Sequence, residues 1–130
     1  MNEKQIEKDI IGYLRWQGYY AEGIQSGVLK QTYNGKDRYV HLCTAGTPDI
    51  IACINRAFVG TEVKKDSNEY KKWNKIIDAH VDGTLLWNTS QDNKKRCVNQ
   101  YEQGRLIDKA GGDYWLVTSV EEVQNLIEFL

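Results

Sequence analysis

A single proline in 130 residues leaves no polyproline segment and no proline-rich linker. Cysteine is scarce and odd in number: Cys43, Cys53 and Cys97, with no C-x-x-C pair. That count fits neither a disulfide framework nor a zinc site. Cys53 lies in an apolar run and is expected to be a small core residue. A catalytic thiol would need a base, and His41 and His80 are the only histidines. Long apolar runs are missing too, so no segment approaches the roughly 20 residues of a membrane-spanning helix. The opening residues Met1-Asn2-Glu3-Lys4-Gln5 contain no apolar signal core, so the expected location is the cytoplasm. Net charge is nearly absent as well. Seventeen Lys and Arg face 18 Asp and Glu, a formal −1, which at first speaks against a polyanionic partner.

What is present is enough for a core. The chain is 41% apolar and 11% aromatic, and its length suits one domain that buries roughly two-thirds of its unfolded surface. Residues 2–18 predict a helix, with Ile6, Ile10, Tyr13 and Gln17 on one stripe and Gly18 as terminator. Residues 19–25 predict a short strand, and Ser26-Gly27 a turn. Asn34-Gly35 between Val28–Tyr33 and Asp37–Leu42 predicts a β-hairpin. After Gly46-Thr47-Pro48, residues 49–54 and 57–64 predict two antiparallel strands joined at Asn55-Arg56. Residues 67–80 predict a helix capped by Ser67, with Tyr70, Trp73, Ile76, Ile77 and His80 on its apolar stripe. Residues 85–87 suggest a short strand and residues 89–96 a basic loop. A helix over 98–110 ends at Gly111-Gly112. A strand over 114–117 precedes a last helix opened by the Ser119…Glu122 capping box. The order describes a mixed α/β domain.

Asp49 begins one predicted strand, and Glu62 and Lys64 close the next. In an antiparallel pair with a tight turn these ends lie side by side. Residues two apart share a face, so Glu62 and Lys64 point the same way. Two carboxylates and an ammonium at one sheet edge suit a hard divalent cation with phosphate or water in its open positions. Such a cation binds phosphate oxygens and acidifies water, and the lysine orients the water or supports the transition state. Asp49, Glu62 and Lys64 are therefore candidate residues for phosphodiester hydrolysis. The competing reading makes them solvated charges on an exposed strand.

Gly46-Thr47-Pro48-Asp49, then twelve residues, then Glu62-Val63-Lys64 resembles the PD-(D/E)xK nuclease signature, and more closely its VRR-NUC branch. Glu7, eleven positions before Gly18, resembles the acidic helix residue of archaeal-type junction resolvases. Ser26-Gly27 resembles the turn those proteins carry. Gln100 is similar to the glutamine on the helix after the catalytic strands, and residues 119–123 to the start of the closing helix. The likeness spans residues 3–65 and 97–130. It departs at Gly23, where a basic residue is usual, and over residues 66–99, where an extra helix is expected. That insertion leaves Gln91 and Gln103 as rivals to Gln100. On the first helix Glu7 is surrounded by Glu3, Lys4, Lys8 and Asp9, and Glu3 is the alternative to it.

The resemblance implies a restriction-endonuclease-like core, a mixed central sheet flanked by helices, as one domain over 1–130 with a helical insertion near 66–98. It implies a Mg²⁺- or Mn²⁺-dependent DNA endonuclease with no organic cofactor and no membrane partner. Asp49, Glu62 and the Val63 carbonyl would hold the metal. Glu7 would complete the shell directly or through water. Lys64 would activate water, and Gln100 would position Lys64 or the phosphate. It further implies a homodimer that resolves four-way DNA junctions. A flap-cleaving or other structure-specific nuclease and a DNA-binding module without hydrolysis are the alternatives.

The basic clusters Lys64-Lys65, Lys71-Lys72-Lys75 and Lys94-Lys95-Arg96, together with Ser26, are candidate DNA contacts. Trp73 and Trp87 are candidates for base stacking or for the core. No histidine stands beside an asparagine in the pattern a one-metal His nuclease needs. The charge balance is also uneven. Residues 112–130 hold Asp113, Glu121, Glu122 and Glu128 and no Lys or Arg, so the rest carries 17 basic against 14 acidic residues, about +3. A polyanionic partner is therefore not excluded, and its contact surface is expected between Lys64 and Arg96.

Overall fold

The structure, a computed structural model, describes residues 2–25, 28–85 and 92–130. Helix α1 (Glu3–Trp16) starts where the Asn2 side chain accepts from the Gln5 N–H at 2.9 Å. Strand β1 (Tyr20–Gly23) follows, then β2 (Val28–Tyr33) and β3 (Lys36–His41). Strands β4 (Ile50–Ile54) and β5 (Ala57–Val63) lead to α2 (Ser67–Asp82) and α3 (Asp92–Lys109). Strand β6 (Asp113–Val117) and α4 (Val120–Ile127) close the chain. The sheet order is β1-β4-β5-β6, antiparallel except for the parallel β5–β6 pair, while β2 and β3 form a separate hairpin. The expected mixed sheet flanked by helices is present.

Side-chain alternation assigns the two faces of the sheet. Val59, Thr61 and Val63 of β5 are all buried; Val59 and Val63 pack with Ile6, Ile10 and Leu14 of α1, Val123 of α4, and Ile50, Ala52 and Ile54 of β4. The intervening β5 residues Gly60 and Glu62 face α3. There a smaller cluster of Trp73, Ile77 and Cys97 packs with Tyr101 and Leu116. Ile10 is fully buried. Ile10→Ala is expected to cost about 2–5 kcal/mol of unfolding free energy, read as a lowered denaturant midpoint.

Several boundaries differ from expectation. The cap of α2 is Asp66, which accepts from the Glu69 N–H at 3.0 Å, and not Ser67. Helix α3 begins at Asp92, so residues 92–96 are helical and not loop. They are too polar to show an apolar period, yet an exposed helical turn tolerates them. Leu85 is not in a strand; its N–H bonds the Ala79 carbonyl past the helix end. Leu86, Trp87 and Gln91 lie outside the described residues, as does the Ser26-Gly27 turn. On α1 the buried stripe is Ile6, Ile10 and Leu14, with Tyr13 only partly buried and Gln17 exposed beyond the helix end. The first strand is trimmed to 20–23. Cys53 is exposed and not in the core. It pairs with Tyr20 and Phe58 at the turn end of the sheet, and both of those are exposed.

Candidate active site

The β4–β5 register aligns Ile50 with Thr61, so Asp49 stands beside the end of β5. The Val63 N–H donates to Asp49 Oδ2 at 2.8 Å and fixes that carboxylate against the strand. The Asp49 backbone is held from the other side, its carbonyl accepting from the Ile24 N–H at 2.7 Å. Glu62 is 2% exposed and Lys64 8% exposed. Burial on this scale is costly for charged groups unless they are paired and hydrogen-bonded.

Gln100 of α3, 3% exposed, supplies the pairing. Its Oε1 accepts from Lys64 Nζ at 2.9 Å and from Trp73 Nε1 at 3.2 Å, and its Nε2 donates to Glu62 Oε1 at 2.8 Å. Lys and Trp side chains only donate. The amide oxygen must therefore face them, which turns the amide nitrogen toward Glu62. One amide thus joins base, acid and indole in a single orientation. Gly46 makes this proximity possible. Its φ is +88°, and a Cβ there would lie 2.3 Å from the Asn99 carbonyl oxygen. The Gly-Thr-Pro-Asp loop therefore touches α3 at the turn that carries Gln100.

The second Glu62 oxygen, Oε2, is buried without a hydrogen-bond donor. Asp49 lies within hydrogen-bonding reach of Glu62 and adds like charge, and burial adds the larger effect. Together they push the Glu62 carboxyl up to about 9, against a smaller opposing pull from Lys64. Two facing carboxylates need a shared proton or a shared cation. An orphaned carboxylate oxygen beside a second carboxylate is the donor set that Mg²⁺ or Mn²⁺ takes, with its remaining positions left to water and phosphate. The residues present fit such an ion.

Glu7 is brought near this pair. Burial and the Asp49 charge raise its carboxyl above the ordinary range, and Lys4 stands 3.7 Å away. Among the described residues no three His, Cys, Asp or Glu side chains form a metal-binding group, so Glu7 stands outside the Asp49–Glu62 pair. It lines a groove of about 340 Å³ with Lys4, Lys8, Ile11, Gly23, Ile24 and Gln25.

The basic candidates separate. Lys65 faces away from Lys64, in a groove with Ile6, Asp9 and Ser119. Lys75 and Lys94 line one groove between α2 and α3. Lys71, Lys72, Lys95 and Arg96 are exposed on those helices, and Arg96 acts electrostatically on Glu62. Ser26 lies outside the described residues. Of the three glutamines considered, Gln100 is in the site, Gln103 is not among its hydrogen-bonding groups, and Gln91 is outside the described residues. Trp73 is in the core and also anchors Gln100, a role that helical spacing does not reveal. Tyr114 was not singled out from the sequence. Its hydroxyl is buried without a partner, its ring packs on Gly104, and burial followed by the Glu62 charge drives its pKa upward.

No protein-family sequence model and no curated protein sequence matches the chain. One solved structure, titled a VRR_NUC domain, matches 97% of this chain and 94% of its own length at a TM-score of 0.51 and 20% identity. That identity speaks to the fold and not to the chemistry. The chain therefore has the VRR-NUC fold, a restriction-endonuclease-like mixed sheet flanked by helices.

Proposed function

We propose that the protein is a divalent-metal-dependent DNA endonuclease of the PD-(D/E)xK type. The observation that carries the reading is a half-buried Asp49 against a buried Glu62 with an orphaned oxygen, tied through Gln100 to a buried Lys64. Asp49, Glu62 and the Val63 carbonyl would hold Mg²⁺ or Mn²⁺, with Glu7 reaching the site through water. Bound there, the ion would polarise the scissile phosphate and acidify water. Lys64, pinned by Gln100, would orient the attacking water and place positive charge beside the phosphorane oxygens. Gln100 hydrogen-bonds both groups and so holds them in register.

The substrate proposed is branched DNA cut by a homodimer, since two symmetric incisions at a four-way junction match a twofold pair of sites. Synthetic four-way junctions, flaps and linear duplexes would be incubated with Mg²⁺, Mn²⁺ or EDTA. Paired symmetric nicks on the junction, lost in EDTA, are expected. Preferential flap cutting would replace the resolvase reading with another structure-specific nuclease. Absence of cleavage on all three substrates would leave only a DNA-binding module.

A further inference from the structure

The β2–β3 hairpin is not hydrogen-bonded to the four-stranded sheet. Two strands alone are marginal in water, and this pair exposes Leu29, Tyr33 and Tyr39 at 45%, 79% and 63%. Its root is at the active site. Strand β2 starts four residues after Ile24, whose N–H bonds the Asp49 carbonyl, and β3 ends at His41, eight residues before Asp49. Cys43 Sγ and the Gln25 carbonyl, 3.5 Å apart, close the root.

The register divides the side chains between two unequal faces. Lys30, Tyr39, Thr32 and Asp37 share one face. There Asp37 takes both Lys30, at 3.4 Å, and the Thr32 hydroxyl, at 2.9 Å, so the face is neutralised internally. Leu29, Val40, Gln31, Arg38, Tyr33 and Lys36 share the other. This face has two cations and no acid, and neither Lys36 nor Arg38 forms an ion pair among the described residues. Six residues per strand reach about 20 Å, and a two-stranded ribbon fits the major groove of a duplex, about 12 Å wide.

We infer that the Gln31–Tyr33–Lys36–Arg38 face of this hairpin is a DNA-docking surface that grips the duplex beside the scissile phosphate. Lys36 and Arg38 contact phosphates, and Gln31 and Tyr33 lie against the groove. The inference rests on the nuclease reading and gives its site a second anchor, apart from the α2–α3 lysines.

The test measures binding of a short labelled DNA duplex in EDTA, where no cutting occurs, across a salt series. The variants are Lys36→Ala/Arg38→Ala and, on the neutral face, Lys30→Ala. The double variant is expected to bind about tenfold more weakly, with the slope of log K against log salt reduced by about 1.8 for two lost phosphate contacts. Lys30→Ala is expected to bind as the parent does. Circular dichroism and sedimentation accompany each variant. An unchanged affinity and slope in the double variant overturns the proposal, even if the protein cuts DNA. So does a shift from dimer to monomer, which would make the face a contact between copies. If the parent binds through this face but never cuts, the docking surface stands and the nuclease reading falls.

Discussion

Lys64→Ala is expected to cut DNA about a thousandfold more slowly than the parent protein while keeping its fold. The size follows from the loss of a preorganised cation beside the developing charge, worth about 10²–10³ for a single donor in comparable sites, plus the loss of the group that orients the water. A thousandfold corresponds to about 4 kcal/mol of transition-state stabilisation. The adjacent Lys65 cannot substitute, because it faces the opposite side of the sheet. The fold should survive, because Gln100 Oε1 keeps the Trp73 indole N–H as a donor. Trp73→Phe is the matched control. It removes that donor together with part of a ring packed against Ile77 and Cys97, leaves Lys64 on Gln100, and is expected to stay within about tenfold of the parent. Single-turnover cleavage with near-ultraviolet circular dichroism would read both. Equal losses in the two variants would point to collapse of the Gln100 turn. A Lys64→Ala protein within tenfold of the parent would remove Lys64 from the chemistry.

The strand pair that carries Asp49, Glu62 and Lys64 was legible because period-two alternation and a two-residue turn together dictate which side chains meet. Both hairpin turns were readable for the same reason: Asn34-Gly35 and Asn55-Arg56 adopt the positive φ values such turns need. Gln100 was legible only as one of three glutamines. What selects it is the contact between Gly46 and the Asn99 carbonyl, which no local pattern encodes. The start of α3 is hidden in the sequence because residues 92–96 are all polar and leave no hydrophobic period to read. Cys53 misled in the opposite way. Its apolar neighbours are buried on one face of β4, whereas its own face lies bare at the turn end. The bare hairpin face is invisible in the sequence because balanced charge along the chain conceals an imbalance created by pairing Lys30 with Asp37.

Glu62→Gln is expected to do two opposite things: abolish metal-dependent cleavage and stabilise the metal-free protein at alkaline pH. Glu62 is buried beside the Asp49 carboxylate, and folding raises its carboxyl from an ordinary 4.5 to about 9. An acid whose pKa folding raises favours the folded state only while protonated. Its contribution is complete below about 4.5 and is lost progressively as pH climbs toward about 9. In EDTA the parent should therefore lose stability over that window, by roughly 1–3 kcal/mol at pH 8 once water entry and local opening relieve part of the strain. The glutamine variant should lose much less. Its carbonyl can accept from Gln100 Nε2 as Glu62 Oε1 does now, and its amide can donate to Asp49, where Glu62 presents a second acceptor. A divalent ion reverses the comparison. It replaces the proton between the carboxylates, so Mg²⁺ or Mn²⁺ should raise the parent's melting temperature, more at pH 8 than at pH 6, and leave Glu62→Gln unmoved. Thermal melts of both proteins at the two pH values, with and without metal, read all eight conditions. A metal-induced shift of equal size in Glu62→Gln would show that the ion binds elsewhere. A parent whose stability in EDTA is flat from pH 5 to 9 would show that Glu62 already has a charge partner in the folded protein.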